Sequence, residues 1–120
     1  MNYSIKQVSE KTSLTVHTLR YYDKEGLLPF ISRNTAGNRV FTDSDLDWLG
    51  LICCLKNTGM PIKHIAIFIQ WCMEGDHSLT ARLQMLIEHR QVVLQQINEL
   101  QQNLEAINHK IERYEALCKE

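Results

Sequence analysis

No apolar run in this 120-residue chain approaches the roughly 20 residues that a membrane-spanning helix needs. Segments such as Ile65 to Ile69 are far too short, and nothing resembles a signal peptide. Disulfide chemistry is equally poorly supplied. The four cysteines, Cys53, Cys54, Cys72 and Cys118, lack paired secretory spacing, which points to a reduced, cytoplasmic protein. There is also no global excess of charge, since the net value is −1. Finally, a chain of this length, 44% hydrophobic, buries one modest core and leaves no room for a second ligand-binding domain.

The distribution of charge says more than its sum. Up to Thr42 there are six basic residues (Lys6, Lys11, Arg20, Lys24, Arg33, Arg39) against three acidic ones (Glu10, Asp23, Glu25). The remainder is acidic by four charges. A basic head and an acidic tail suit a chain that touches phosphate at one end only.

That basic head begins with a readable local code. Ser4 with Gln7 forms a capping-box pattern, and Tyr3 before the cap is placed to staple onto Val8. The predicted helix runs to about Lys11, and Thr12 to Leu14 make a short turn. Thr15 caps a second helix, with Leu14 placed to staple onto Leu19, an apolar stripe through Val16, Leu19 and Tyr22, and a glycine stop at Gly26. Two short helices joined so tightly read as helix-turn-helix, whose second helix enters the major groove. Its exposed side carries His17, Thr18, Arg20, Tyr21 and Lys24. Thr15, His17 and Thr18 are the base-reading candidates, while Arg20 and Tyr21 reach backbone or base. Tyr22 is a further DNA-binding candidate, with the alternative that it, and even Tyr21, simply packs on the first helix.

Helical patterning stops between Leu27 and Phe41. Pro29, the polar run Ser32 to Asn38 and the alternating Arg39-Val40-Phe41 predict two short strands around a loop, a wing, with Gly37-Asn38 supplying the positive backbone angle. Arg33 and Arg39 would project from it to grip phosphate. The alternative is an arginine that caps a turn. Beyond the wing, Thr42 with Asp45 gives a second capping box, and Phe41 is placed to staple onto Leu46. That helix continues through Trp48, Leu49, Ile52 and Leu55 to Gly59. Pro61 opens another, with Ile62, Ile65, Ile69 and Cys72 on its apolar side and Trp71 beside them.

From Leu79 the pattern is a heptad seam, capped by Ser78. Leu79, Leu83, Leu86, Arg90, Val93, Ile97, Leu100, Leu104, Ile107, Ile111, Tyr114 and Cys118 alternate steps of four and three, interrupted by charge only at Arg90. Such a helix is roughly 60 Å long and cannot bury its stripe alone. A second copy should cover it, making a homodimer. The expected organisation is therefore mainly α: a winged helix-turn-helix DNA-binding domain with a connecting helix pair over residues 1–76, then a coiled-coil dimerisation helix over 77–120.

The run Leu19-Arg20-Tyr21-Tyr22-Asp23, followed by Gly26-Leu27-Leu28, resembles the recognition helix of MerR-family transcriptional regulators. Wings of that family often show Gly-Tyr-Arg where this chain has Gly37-Asn38-Arg39, so the arginine carries over and a tyrosine role does not. The resemblance further implies a phosphate contact at Lys56 and antiparallel pairing of the long helices. It implies a dimer on a pseudo-palindromic double-stranded promoter whose polymerase elements are spaced too widely. By bending and untwisting the DNA the dimer would realign them for RNA polymerase. The segment Cys54-Leu55-Lys56-Asn57-Thr58-Gly59-Met60, with Glu74-Gly75-Asp76, resembles the subgroup that responds to aldehydes and other thiol-reactive electrophiles, in which one cysteine stands where Cys54 stands.

Cys54 is therefore the candidate sensor. Its side chain leans toward Gly50, which offers open space, whereas Cys53 shares the face of Leu46 and Leu49 and reads as core. The bland alternative for Cys54 is an inert buried thiol. Sensing of a metal at Cys72 and His77, or of a small ligand, is a competing reading, although no metal or cofactor is called for. From another class, a coiled-coil adaptor would explain Leu79 to Cys118 but would leave Arg20, Tyr21 and the wing arginines idle. An enzyme is not expected, because only His64 could serve as a base near Cys53-Cys54 and no cleft-sized domain is available.

Overall fold

The computed structural model describes residues 1–119. Its elements in chain order are β1 (Asn2–Ser4), α1 (Ile5–Thr12), α2 (Val16–Lys24), β2 (Ser32–Arg33), β3 (Arg39–Thr42), α3 (Asp43–Asn57), α4 (Ile62–Glu74), a single 3₁₀ turn (Asp76–Ser78) and α5 (Leu79–Cys118). Two compact units result: Met1–Leu83, and a second that begins at Gln84, inside α5.

The helix starts follow their local code. Ser4 Oγ accepts the Gln7 amide while Gln7 Oε1 accepts the Ser4 amide, closing the capping box on α1. Thr42 and Asp45 repeat it on α3, at 3.1 and 2.9 Å. Thr15 Oγ1 takes the Thr18 amide at the head of α2. The turn between α1 and α2 is tied by hydroxyls: Thr12 donates to the Val8 carbonyl and Ser9 to that of Leu14.

Two helices stop in the same way. At the end of α2, Gly26 (φ +84°) gives its N–H to the Asp23 carbonyl, and Leu27 gives its own to Tyr22. At the end of α3, Gly59 (φ +99°) and Met60 bond to Lys56 and Leu55 in the same pattern. Only glycine adopts this left-handed angle without strain, and the residue that follows is returned to the core: Leu27 and Met60 are both buried.

The wing is larger than the two strands expected. β3 is the centre of a three-stranded antiparallel sheet, with β2 on one side (Ser32 opposite Val40, Arg33 opposite Arg39) and β1 on the other (Tyr3 opposite Phe41). A strand of three residues carries no alternation from which it could be read. Asn34 shapes the wing tip, its side-chain oxygen accepting the amides of Ala36 and Asn38, with Gly37 at φ +84°. The core beneath is built from Val8, Leu19, Tyr22, Leu27, Leu28 and Phe41 with Leu49, Ile52, Leu55, Ile65, Phe68 and Ile69. Trp48 stacks on Phe30 at 6.2 Å.

Ser78 does not act as the expected cap. It lies in the 3₁₀ turn, 5% exposed, with Oγ 2.6 Å from the Trp71 carbonyl and 2.8 Å from that of Gly75. Arg82 closes the junction, donating from Nε to Ser78 Oγ and from a terminal nitrogen to the Gly75 carbonyl. The hydroxyl is turned toward carbonyls, so it anchors α4 to the first turn of α5 rather than receiving an amide. Along its 40 residues α5 buries nothing, and Leu83, Ile97, Leu100, Leu104, Ile107 and Ile111 all stand exposed.

Candidate nucleic-acid interface

The residues of α2 and its cap Thr15 divide between packing and presentation, with Val16, Thr18 and Asp23 at the border. Leu19 and Tyr22 face the core, and Thr15, His17, Arg20, Tyr21 and Lys24 face outward. Of the two readings of Tyr22, DNA contact and packing, its burial favours packing and corrects its place among the DNA-binding candidates. It is 6% exposed, and burial, followed by the neighbouring Cys53 and Tyr21, pushes its phenol pKa upward. A ring so enclosed holds the recognition helix on the core and does not lie on the presented face. Tyr21, 44% exposed, does. It lines a shallow groove with Ile62, Lys63, Ala66 and Ile67 of α4.

At the head of α2, Thr15 is first of all the cap. Its hydroxyl donates to Thr18 Oγ1 at 2.9 Å, which leaves the Thr18 proton for another acceptor. The exposed His17 and the half-buried Thr18 thus offer donors in the first turn, where a recognition helix meets base edges.

Arg20, Arg33 and Arg39 come together, although the first and last are nineteen positions apart in the chain. They line one cleft of about 380 Å³ with Lys6, Ser4, Asn34 and Asn38. Four cations and several amide and hydroxyl donors on one concave surface suit a strand of phosphates. The sequence reading had not assigned Lys6, Asn34 or Asn38 to the site. Lys6 could have been found from its place in the first turn of α1; the asparagines could not, because only the folded loop brings them to the cleft.

The two wing arginines do not project alike. Arg39 was expected to stand out from the wing, yet its Nε donates to Asp23 Oδ2 at 2.7 Å and the pair is partly buried. Arg33 gives one nitrogen to the Gly37 carbonyl at 2.7 Å, as a turn-capping arginine would, and approaches Asp23 to 3.8 Å. Lys56 stands exposed in the last turn of α3, apart from the cleft lining.

The cysteines are all free and differ in setting. Cys53 is half-buried, and burial pushes its thiol pKa upward, away from thiolate. Cys54 is exposed, and the adjacent Gly50 has open space around it. Cys72 lies 3.9 Å from a terminal nitrogen of Arg82. Among the described residues no group of three or more His, Cys, Asp and Glu side chains is placed to hold a metal. Nor is any described helix long and apolar enough to cross a membrane.

A recognition helix, the helix before it and a basic sheet at its side define a winged helix-turn-helix module. Comparison with known families agrees: the MerR HTH family regulatory protein matches residues 3–70, and the family described as MerR, DNA binding, matches residues 46–110. The chain belongs to the MerR family of transcriptional regulators, which are not enzymes. An HTH-type transcriptional regulator of Haemophilus influenzae is 43% identical over 96% of this chain and 85% of its own length. AdhR of Bacillus subtilis, another HTH-type transcriptional regulator, is 34% identical over 77% of this chain and 66% of itself. Among solved structures, HiNmlR, a MerR family regulator lacking the sensor domain and bound to promoter DNA, superposes with a TM-score of 0.90 at 43% identity, covering 96% of this chain and 91% of that one. A MerR family regulator from Bacillus thuringiensis superposes with a TM-score of 0.86 at 46% identity, covering 94% and 99%.

Proposed function

We propose that this regulator binds a pseudo-palindromic promoter site as a homodimer, distorts the DNA, and changes transcription when an aldehyde or another thiol-reactive electrophile modifies Cys54. The observation that carries the DNA part is the basic cleft between α1, Arg20 and the wing, set beside the presented face of α2. Thr15, His17 and Thr18 meet the bases; Arg20 and Tyr21 reach base or backbone; Arg33 and Lys56 serve the phosphate side, and Arg39, bonded to Asp23, acts there through the placement of the wing. The similarity to a promoter-bound regulator over 96% of the chain supports this.

The dimer follows from α5, whose apolar stripe has no cover within one chain. Antiparallel pairing of two such helices would place the two recognition helices on successive half-sites. Bending the DNA between them costs on the order of 1 to 6 kcal/mol, offset by phosphate contacts. RNA polymerase is then addressed indirectly, through the geometry of the promoter. Sensing is supported by the contrast between an exposed Cys54 beside open space and a desolvated Cys53. With formaldehyde the Cys54 sulfur attacks the carbonyl carbon: a C–S bond forms as the C=O π bond breaks toward oxygen, the thiol proton passes to water and water returns one to that oxygen, leaving an S-hydroxymethyl group.

One series tests the reading. Promoter binding by the reduced protein should weaken steeply with salt, and Arg20→Ala should weaken specific binding by roughly 1 to 3 kcal/mol if Arg20 reads a base. Mass spectrometry after exposure to formaldehyde, methylglyoxal or a mild oxidant should find modification concentrated at Cys54. Equal reaction at all four cysteines, or none, would reject the thiol signal and leave a metal or small ligand to be sought. Salt-independent binding without sequence preference would reject the promoter role in favour of a coiled-coil adaptor.

A further inference from the structure

A single carboxylate serves both arginines of the wing, and it serves them unequally. Asp23 lies in the last turn of α2, with its side chain 23% exposed. Arg33 and Arg39 stand directly opposite one another across β2 and β3, a pairing of like charges that would destabilise the hairpin if left alone. Asp23 Oδ2 accepts the Arg39 Nε–H at 2.7 Å, and the Arg39 side chain is only 19% exposed. Toward the same oxygen Arg33 comes no closer than 3.8 Å, too far for a hydrogen bond, and its side chain is 54% exposed. Two cations and one anion leave one positive charge over, and the distances say which.

We infer that Asp23 is the positioning residue that locks the wing to the end of the recognition helix through Arg39, leaving Arg33 as the wing guanidinium that moves onto a DNA phosphate. The inference rests on the promoter-binding reading above. Arg33 gives up a neutral carbonyl acceptor and a long ion pair, and a phosphate offers a stronger, charge-assisted partner. Arg39 would have to abandon a short, half-desolvated bond and strand Asp23. Phosphate contacts set the register of a protein on the duplex. A brace that ties the phosphate-gripping sheet to the base-reading helix therefore acts on sequence discrimination.

The test is a salt titration of binding to the promoter and to a scrambled duplex of equal length, with thermal melts of every variant. Arg33→Ala removes one phosphate contact from each protomer of the dimer, so it should lower the log–log salt slope by about 2 on both duplexes, with their affinity ratio unchanged. Arg39→Gln should leave the slope alone and lower the ratio. Asp23→Asn frees Arg39 in both protomers, so the slope on scrambled DNA should rise by about 2. Its promoter preference should fall roughly tenfold, the scale of one base-edge contact. Asp23→Glu, which keeps the charge, should restore most of both. A purely structural role would lower the melting temperature with no change of slope. The inference is overturned if Asp23→Asn leaves slope and ratio at their wild-type values, or if Arg39→Gln lowers the slope as Arg33→Ala does. A wild-type chain without promoter preference would refute the promoter reading instead. In that event the brace is judged without DNA: thermal unfolding must show coupling between Asp23 and Arg39 that is absent between Asp23 and Arg33, and its absence overturns the inference.

Discussion

Replacing Ser78 by alanine removes one oxygen from the join between α4 and α5. That oxygen is 5% exposed, lies 2.6 and 2.8 Å from the Trp71 and Gly75 carbonyls, and accepts from Arg82 Nε at 3.0 Å. Its single proton serves one carbonyl at a time, so the substitution leaves one carbonyl without a donor and one charged N–H without an acceptor. Arg82 keeps its bond to Gly75 at 3.1 Å, which prevents the guanidinium from being stranded altogether. A hydrogen bond to a charged group contributes about 1.5 to 3 kcal/mol and a neutral one about 0.5 to 1.5, so we expect a loss of about 2 kcal/mol after relaxation. In a domain of this size each kcal/mol moves the melting temperature by roughly 4 to 8 °C. Thermal melts followed by circular dichroism, at one fixed chain concentration because association would shift them, should register that drop. Combining Ser78→Ala with Arg82→Ala should cost less than the sum of the two by roughly 1 kcal/mol, since both cut the same bond. A Ser78→Ala melt within about 0.5 kcal/mol of wild type, the ordinary scale of surface changes, would refute the reasoning.

Three other perturbations separate the forces at work. Gly26→Ala places a Cβ where nothing lies within 4 Å, so its cost is backbone strain alone, about 1 to 2 kcal/mol in urea unfolding. Crowding elsewhere would show itself as a larger loss. The Asp43 carboxyl is held below its ordinary pKa, first by the Tyr3 hydroxyl at 2.7 Å and then by the N-terminal amine. A depressed carboxyl stabilises the fold above its unfolded pKa of about 3.9 and loses that contribution as pH falls through the folded value. Tyr3→Phe should thus flatten the acid branch of the stability profile; superimposable branches would assign the shift to another group. The raised Tyr3 phenol, again through Asp43, acts in the opposite sense: its contribution is present below about pH 10 and is lost above it. Leu100, 67% exposed on α5, should become a buried seam residue in the dimer, so Leu100→Glu should shift sedimentation toward the monomer. A dimer that persists unchanged would place the interface elsewhere.

Much of the fold lay open in short stretches of sequence because helix boundaries are set by neighbours three or four residues apart. Ser4 with Gln7, Thr42 with Asp45, Thr15 alone, and the stops at Gly26 and Gly59 all act within one turn, so reading the residues amounts to reading the structure. The heptad of α5 was legible for the same reason, its period being a property of the helix itself. The role of Ser78 was not, because a serine before a helix can accept an amide or donate to a distant carbonyl, and only the return of α4 puts the Trp71 carbonyl 2.6 Å away.

The candidate site divides along the same line. By itself the sequence determined that a helix capped at Thr15 and stopped at Gly26 carries hydroxyl, guanidinium and phenol groups on one side, and that a glycine-bearing basic loop follows. It placed Tyr22 on the apolar stripe and Tyr21 on the exposed side yet left both as DNA-binding candidates, because adjacent residues on a short helix both border the stripe; burial in the folded chain takes Tyr22 alone out of reach. Nor could it rank Arg33 and Arg39, which look alike on paper. Tertiary structure decided that ranking: β1, only three residues long, docks on β3 from 38 positions away, β3 packs on α1 and α3, and Asp23 meets one arginine at 2.7 Å and the other at 3.8 Å. Local propensity sets what each segment becomes, and the meeting of segments distant in the chain sets which charges are already spent.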